Sequence, residues 1–206
     1  ASDVYKRQTA YSIDMTDHGS AAASSLMNAL RTTYDASIAI GYSPLVSTSI
    51  YCGDYSKQQL LWVMAGNYAV SQGEYTGAEL RQMMEWLVNV KDNGANPIRH
   101  RNYMPVTSGM EYKVTEYEQG KFRLEELTVN GAPLDDTATY TVFVAGTDVW
   151  IENEVYCSCP MPENLKTKRT EYAIEGADSR SCLKDSLAVS KQFPAPSEYL
   201  TIVQGE

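Results

Sequence analysis

Histidine is scarce in this chain, and each of the two stands alone. His18 and His100 have no second histidine at metal-ligand spacing, so the sequence writes no histidine-based metal centre. Asp14, Asp17 and His18 fall close together, but a Ser/Thr/Asp-rich stretch ahead of a helix reads first as capping. No Gly-rich phosphate loop occurs. Ser108-Gly109 lacks the strand–elbow–helix setting of a hydrolase nucleophile. Glu125-Glu126 and Asp135-Asp136 are adjacent pairs, whose side chains diverge on a strand or turn. No catalytic residue can be assigned, and an active site on His18 or His100 has no partner residue to complete it.

Long apolar runs are missing too. Nothing approaches the roughly 20 residues that span a bilayer, so no membrane span is expected. Excess positive charge is also absent. The net charge of −9 argues against a nucleic-acid surface, and the one basic cluster, Lys166 to Arg169, reads as a solvated loop. Ala1 to Gln8 has no apolar h-region. Residues 1–12 therefore read as a junction or tag-like extension, and 13–206 as one domain. Cys157-Ser158-Cys159 is spaced too tightly for a zinc knuckle. With Cys52 and Cys182 these cysteines fit two disulfides of an exported protein or free buried thiols equally well.

What is present suits a globular domain. The chain has 206 residues, 43% of them hydrophobic and 21% charged, enough to bury a substantial core. Asn67 to Val90 is the clearest unit. Tyr68-Ala69-Val70 reads as a short strand and Gln72-Gly73-Glu74 as a turn. Thr76-Gly77-Ala78-Glu79 then reads as a capping box, with Leu80, Met83, Met84, Leu87 and Val88 along one helical face. Earlier, Ser20 caps a predicted helix over 21–33 that buries Ala22, Leu26, Ala29 and Leu30, and Asp35 to Ile40 reads as a strand. Gly53-Asp54 reads as a turn, and Ser56 with Gln59 as a second capping box.

The second half alternates apolar and polar residues. Met110, Tyr112 and Val114 predict one strand, Phe122 to Val129 another, and Tyr140, Val142 and Val144 a third. Asn130-Gly131 is a tight-turn signal, though Pro133 implies a wider connection than a two-residue hairpin. Cys157 to Thr170 reads as loop, Cys182 to Val189 as a helix, and Glu198 to Val203 as a strand closing the sheet. The order of elements gives an α+β fold around a mixed sheet with packed helices.

In order, Ser25 to Leu30, Asp35 to Ile40, Gly53-Asp54-Tyr55-Ser56, Gly66-Asn67 and Tyr75 to Leu80 resemble the C-terminal domain of the 5′-nucleotidases. So do Thr107 to Tyr112, Val129 to Leu134 and Thr139 to Val142. That family includes UDP-sugar hydrolase and 2′,3′-cyclic-nucleotide phosphodiesterase. The resemblance implies that the chain recognises a nucleoside or nucleotide, while divalent metals lie in a separate N-terminal metallophosphoesterase domain of the same polypeptide. No cofactor is expected in this chain. It further implies a bacterial protein that is exported to the periplasm, outside or cell surface. Tyr42, Ser43, Asn67, Tyr68, Asp148 and Trp150 are the candidate substrate-binding positions, with Tyr42, Tyr68 and Trp150 read as stacking rings from their place at predicted loop ends alone, against core or rim packing as the competing reading. Three family features are missing, one of them the Gly-Gly-Asp-Gly-aromatic loop, which has no counterpart after Thr147-Asp148-Val149-Trp150. Gly41 to Val46 has no Arg, and Met64-Ala65 stands where an aromatic precedes the Gly-Asn pair. The alternative is a binding or structural module that keeps the fold without nucleotide binding.

Overall fold

The computed structural model describes residues 5–7, 20–42, 50, 53–63, 66–89, 104–118, 121–146, 161–190 and 192–205. Its central layer is a five-stranded mixed sheet, built from β2 (Ile38–Tyr42), β4 (Ala69–Thr76), β5 (Pro105–Ser108), β9 (Thr139–Ala145) and β10 (Ala173–Asp178). The spatial order is β10-β4-β9-β2-β5. β2 runs parallel to β9, and the other neighbours are antiparallel. Ile38, Ala39 and Ile40 are all fully buried, although successive side chains point to opposite faces. Both faces of β2 are therefore covered, as its place inside the sheet requires. Val142 to Ala145 of β9 are buried in the same way, which replaces the alternation expected there.

A second sheet comes from β6 (Met110–Glu118), β7 (Lys121–Val129), β8 (Ala132–Pro133) and β11 (Leu200–Gln204), in the order β11-β6-β7-β8. Here the alternation holds, with Met110, Tyr112 and Val114 buried and Glu111 exposed. β7 and β8 join through a two-residue turn, Val129 lying opposite Ala132. Asn130 and Gly131 both have positive φ, 52° and 76°. That is the type I′ hairpin and not the wider connection expected from Pro133. Pro133 is accommodated because β8 is an edge strand, where no outer neighbour needs its missing N–H. β11 adds to β6 in parallel.

Five helices are found among the described residues. α1 (Ala21–Thr33) lies on β2 and β5, with Leu26 and Leu30 fully buried. Each such leucine contributes about 2 kcal/mol of transfer free energy. α2 (Lys57–Val63) opens on the expected reciprocal pair. The Ser56 amide donates to Gln59 Oε1 at 2.8 Å, and the Gln59 amide to Ser56 Oγ at 3.3 Å. α3 (Gly77–Leu87) touches both β4 and β7 and so bridges the sheets. Its capping box forms: the Thr76 amide donates to Glu79 Oε2 at 2.8 Å and the Glu79 amide to Thr76 Oγ1 at 3.2 Å. α4 (Glu163–Glu171) and α5 (Ser179–Ser190) complete the set.

Four local expectations are corrected. Gln72-Gly73-Glu74 continues β4 and forms no turn. Glycine serves a packing need there, because the Tyr172 ring crosses the strand 2.0 Å from where a Cβ would sit. Gly53-Asp54 belongs to β3 (Gly53–Tyr55), which pairs with β1 (Tyr5–Arg7). Residues 163–171 form helix α4 in place of the expected loop. The basic residues Lys166 to Arg169 therefore sit on a helix, with Arg169 buried and Lys168 Nζ 2.7 Å from Glu79 Oε2. β10 is a strand to which no sequence signal points. The Cys182 thiol is free and buried, its pKa raised first by burial. Cys52, Cys157 and Cys159, along with Asp14, Asp17, His18 and His100, lie outside the described residues.

Candidate functional site

One end of the five-stranded sheet gathers the positions that the sequence singles out. Across it, Tyr42 ends β2 opposite Pro105, Ala145 ends β9 opposite Val70, and Asp178 ends β10 opposite Ala69. The chain leaves β2 at Tyr42 toward Ser43, enters β4 from Asn67 and Tyr68, and leaves β9 toward Asp148 and Trp150. Ser43, Asp148 and Trp150 themselves lie outside the described residues, as does the Tyr42 side chain. Two neighbouring parallel strands end here, and in open α/β sheets that is where ligands settle.

The described heart of this end is the segment Gly66-Asn67-Tyr68 docked on the start of α5. The Ser179 hydroxyl is fully buried and holds the segment twice. It accepts from the Tyr68 amide at 3.1 Å and donates to the Gly66 carbonyl at 3.1 Å. The Ser179 amide donates to the Tyr68 carbonyl at 2.8 Å. One residue later Arg180 Nη1 donates to Asn67 Oδ1 at 3.2 Å. Tyr68 is half-buried against the core, and its ring lies over Gly66, about 3.1 Å from where a Cβ would be. Asn67 is exposed.

α5 is set in place by its own first turn. Asp178 Oδ1 accepts from the Ser181 amide at 2.8 Å, and Ser181 Oγ accepts from the Asp178 amide at 2.9 Å. This reciprocal pair is a capping box written with Asp and Ser. Cys182, Leu183, Ser186 and Leu187 bury the rest of the helix. Sequence reasoning misses Ser179 and Arg180. The signal available is Asp178 followed three residues later by Ser181, which starts the helix three residues before Cys182 and brings Ser179 to the joint.

The arrangement sets the half-buried Tyr68 ring, the exposed Asn67 amide and the Arg180 guanidinium bonded to it around one joint. Among the described residues no three His, Cys, Asp or Glu side chains gather as a metal-holding group. No described helix is long and apolar enough to cross a membrane. A concavity of about 200 Å³ lies elsewhere, between β6, β7 and β11 around Tyr112, Glu126 and Tyr199.

Comparison with known proteins agrees with this architecture. None of the curated proteins matches the sequence. Among solved structures, a 5′-nucleotidase precursor from Thermus thermophilus matches with a TM-score of 0.70 at 15% identity, covering 98% of this chain and 39% of that one. The NAD nucleotidase of Haemophilus influenzae matches with a TM-score of 0.69 at 13% identity, covering 100% of this chain and 38% of that one. A putative 5′-nucleotidase from Staphylococcus aureus follows with a TM-score of 0.57, 16% identity and coverage of 86% and 36%. The chain thus spans under two fifths of the length of these proteins, and at such identities the likeness concerns the fold. The family model described as "5′-nucleotidase, C-terminal domain" matches residues 5–147, more than half of the sequence, and the chain belongs to that family.

Proposed function

We propose that this domain is the nucleoside-recognition half of a bacterial 5′-nucleotidase-like metallophosphoesterase that hydrolyses nucleotide phosphate esters. The observation that carries the reading is the convergence of Tyr42, Asn67, Tyr68 and the chain leading to Asp148 on one sheet end. Divalent metals in a separate N-terminal domain of the same polypeptide would supply the nucleophile and Lewis acid. The residues of this chain bind and orient: the Tyr68 ring offers a stacking face and Asn67 hydrogen bonds, while Ser179 fixes both. Export from the cell belongs to the same proposal.

The test is calorimetric titration with adenosine, AMP and UDP-glucose. Saturable binding that weakens by about tenfold in Tyr68→Ala, the worth of a lost stacking ring, supports the reading. No binding at millimolar ligand favours a second one, a module that keeps the fold without nucleotide recognition. The absence of Arg from Gly41 to Val46 and of an aromatic at Met64-Ala65 is what recommends that alternative.

A further inference from the structure

We infer that β11 is the edge through which this molecule self-associates: two copies pair their β11 strands antiparallel about a twofold axis and join their second sheets into one. A sheet edge presents unpaired N–H and C=O groups, and folded proteins blunt such edges with charge, proline, bulges or cover. Three of the four edges of the two large sheets are blunted in these ways. β10 carries Glu175 and Asp178, and its pairing with β4 is broken by a register shift. β5 begins at Pro105 and is buried along its whole length. β8 is two residues long and ends on Pro133. β11 has none of these devices. Its five residues, Leu200 to Gln204, include no charge and no proline, and their register on β6 is unbroken. Among the described residues no strand lies beyond it.

The free side of the strand follows from its hydrogen bonds. The Tyr112 amide donates to the Tyr199 carbonyl and the Gly205 amide to the Glu116 carbonyl, both at 2.8 Å, so Tyr199 and Gly205 turn their backbones to β6. Backbone direction alternates along a strand. Thr201 and Val203 therefore also face β6, while Leu200, Ile202 and Gln204 present their N–H and C=O groups outward. The edge is ordered in advance, because the chain before it is tied to α1. Ser25 Oγ donates to the Pro194 carbonyl at 2.6 Å, Asn28 Nδ2 to the Ala195 carbonyl at 2.7 Å and Ser24 Oγ to the Ser197 carbonyl at 2.8 Å. A strand already fixed loses little entropy on pairing. Charge points to a second copy as the occupant. At a net charge of −9 most contacts between two copies set acid against acid, whereas β11 meets β11 without charge and offers a charged peptide no counter-charge. Pairing Leu200 with Ile202 of the second copy brings Glu198 toward Gln204 and not toward another acid.

Sedimentation of the chain over a dilution series is the test. A five-residue pairing is smaller than a standard interface, so the dimer should dissociate within the micromolar range. Val203, 39% exposed, can take a charge without disturbing the core, and Val203→Lys places like charges on the joined edges. Gln204→Pro removes an outward N–H and leaves the bonds to β6 in place. Each variant should weaken the dimer by about tenfold or more, with thermal unfolding of the dilute monomer little changed. Hydrogen exchange gives a reading that needs no variant. On dilution the amides of Leu200, Ile202 and Gln204 should lose protection, while those of Thr201 and Val203, bonded to β6, keep it. A chain that stays monomeric at every concentration overturns the assignment. So does a dimer indifferent to both substitutions, or one whose dissociation leaves those three amides unchanged. Growth past two copies overturns it as well, because each chain has one such edge and the pairing closes on itself.

Discussion

Ser179 carries no charge and is fully buried, yet two residues expected to meet a ligand depend on it. Its hydroxyl satisfies the Tyr68 amide and the Gly66 carbonyl together. Replacing it by alanine leaves both partners short of a bond inside the fold, a loss of about 1–3 kcal/mol. Ser181 makes a useful control, because its hydroxyl bonds to the Asp178 amide and carbonyl at the helix start and to neither Gly66 nor Tyr68. Denaturant unfolding should show both Ser179→Ala and Ser181→Ala destabilised, whereas titration with adenosine should weaken only in Ser179→Ala. Equal affinity losses in the two would mean that the helix start, and not the clamp, matters. Gly73 poses a different residue-scale demand. A Cβ there would sit 2.0 Å from the Tyr172 ring, so Gly73→Ala should cost about 1–3 kcal/mol of overpacking. Adding Tyr172→Ala should return part of that, a coupling that a double-mutant cycle reads directly.

At the scale of elements, the start of α3 shows how a local signal becomes tertiary. Burial alone would disfavour the ionised Glu79, but the Lys168 ammonium and the Thr76 amide and hydroxyl outweigh it, and its carboxyl lies below the usual range. A depressed folded pKa means stability that is present above the unfolded value of 4.5 and is lost as pH falls through the lower folded value. Acid titration of stability should therefore show a loss starting near pH 4.5 in the wild type that is smaller in Glu79→Gln. Thr76→Ala should cost about 1 kcal/mol at neutral pH. This helix is legible in the sequence because cap and apolar stripe are both local. So is β6, whose buried Met110, Tyr112 and Val114 keep strand spacing, while α1 is legible from its Ser20 cap although residues 22–27 are all buried, and β7 from Leu127 and Val129 alone. α4 is not, since only Leu165 and Arg169 of its nine residues are buried and the rest is polar all round. β10 hides for a related reason: it is an edge strand with no buried residue to set a period. The run through Gly73 is misread as a turn because glycine there answers to Tyr172, far along the chain and invisible to any local window. For the candidate site, Asn67 and Tyr68 can be named from a resemblance. Arg180 and Ser179 cannot, because their role comes only from the docking of α5 on the segment before β4.

For the molecule as a whole, the joint between the two sheets is the step from β5 to β6, and it is a single residue. Ser108 ends the strand in the central sheet and Met110 begins the strand in the second one. Gly109 between them has φ of +78°, and a Cβ on it would lie 2.2 Å from the Ser37 carbonyl oxygen, a backbone atom that cannot swing aside. Ser37 in turn donates its amide to the Thr141 carbonyl at 2.9 Å, so the obstructing group is held by β9. Arg31 of α1 reinforces the place by donating from Nε to Ser108 Oγ at 2.8 Å. Helix, central sheet and second sheet therefore meet at one point that only glycine fits. Gly131 supplies the matched control. Its φ is +76°, but nothing lies within 4 Å of where its Cβ would be. Gly131→Ala should cost only the left-handed backbone strain, about 1–2 kcal/mol. Gly109→Ala should cost that and a backbone clash, about 3 kcal/mol or more. Thermal unfolding of the two variants separates the contributions. Similar losses would show that the sheets can shift apart at the joint at little cost, and that the rigid support assumed for the ligand-binding end is looser than the packing around Gly109 requires.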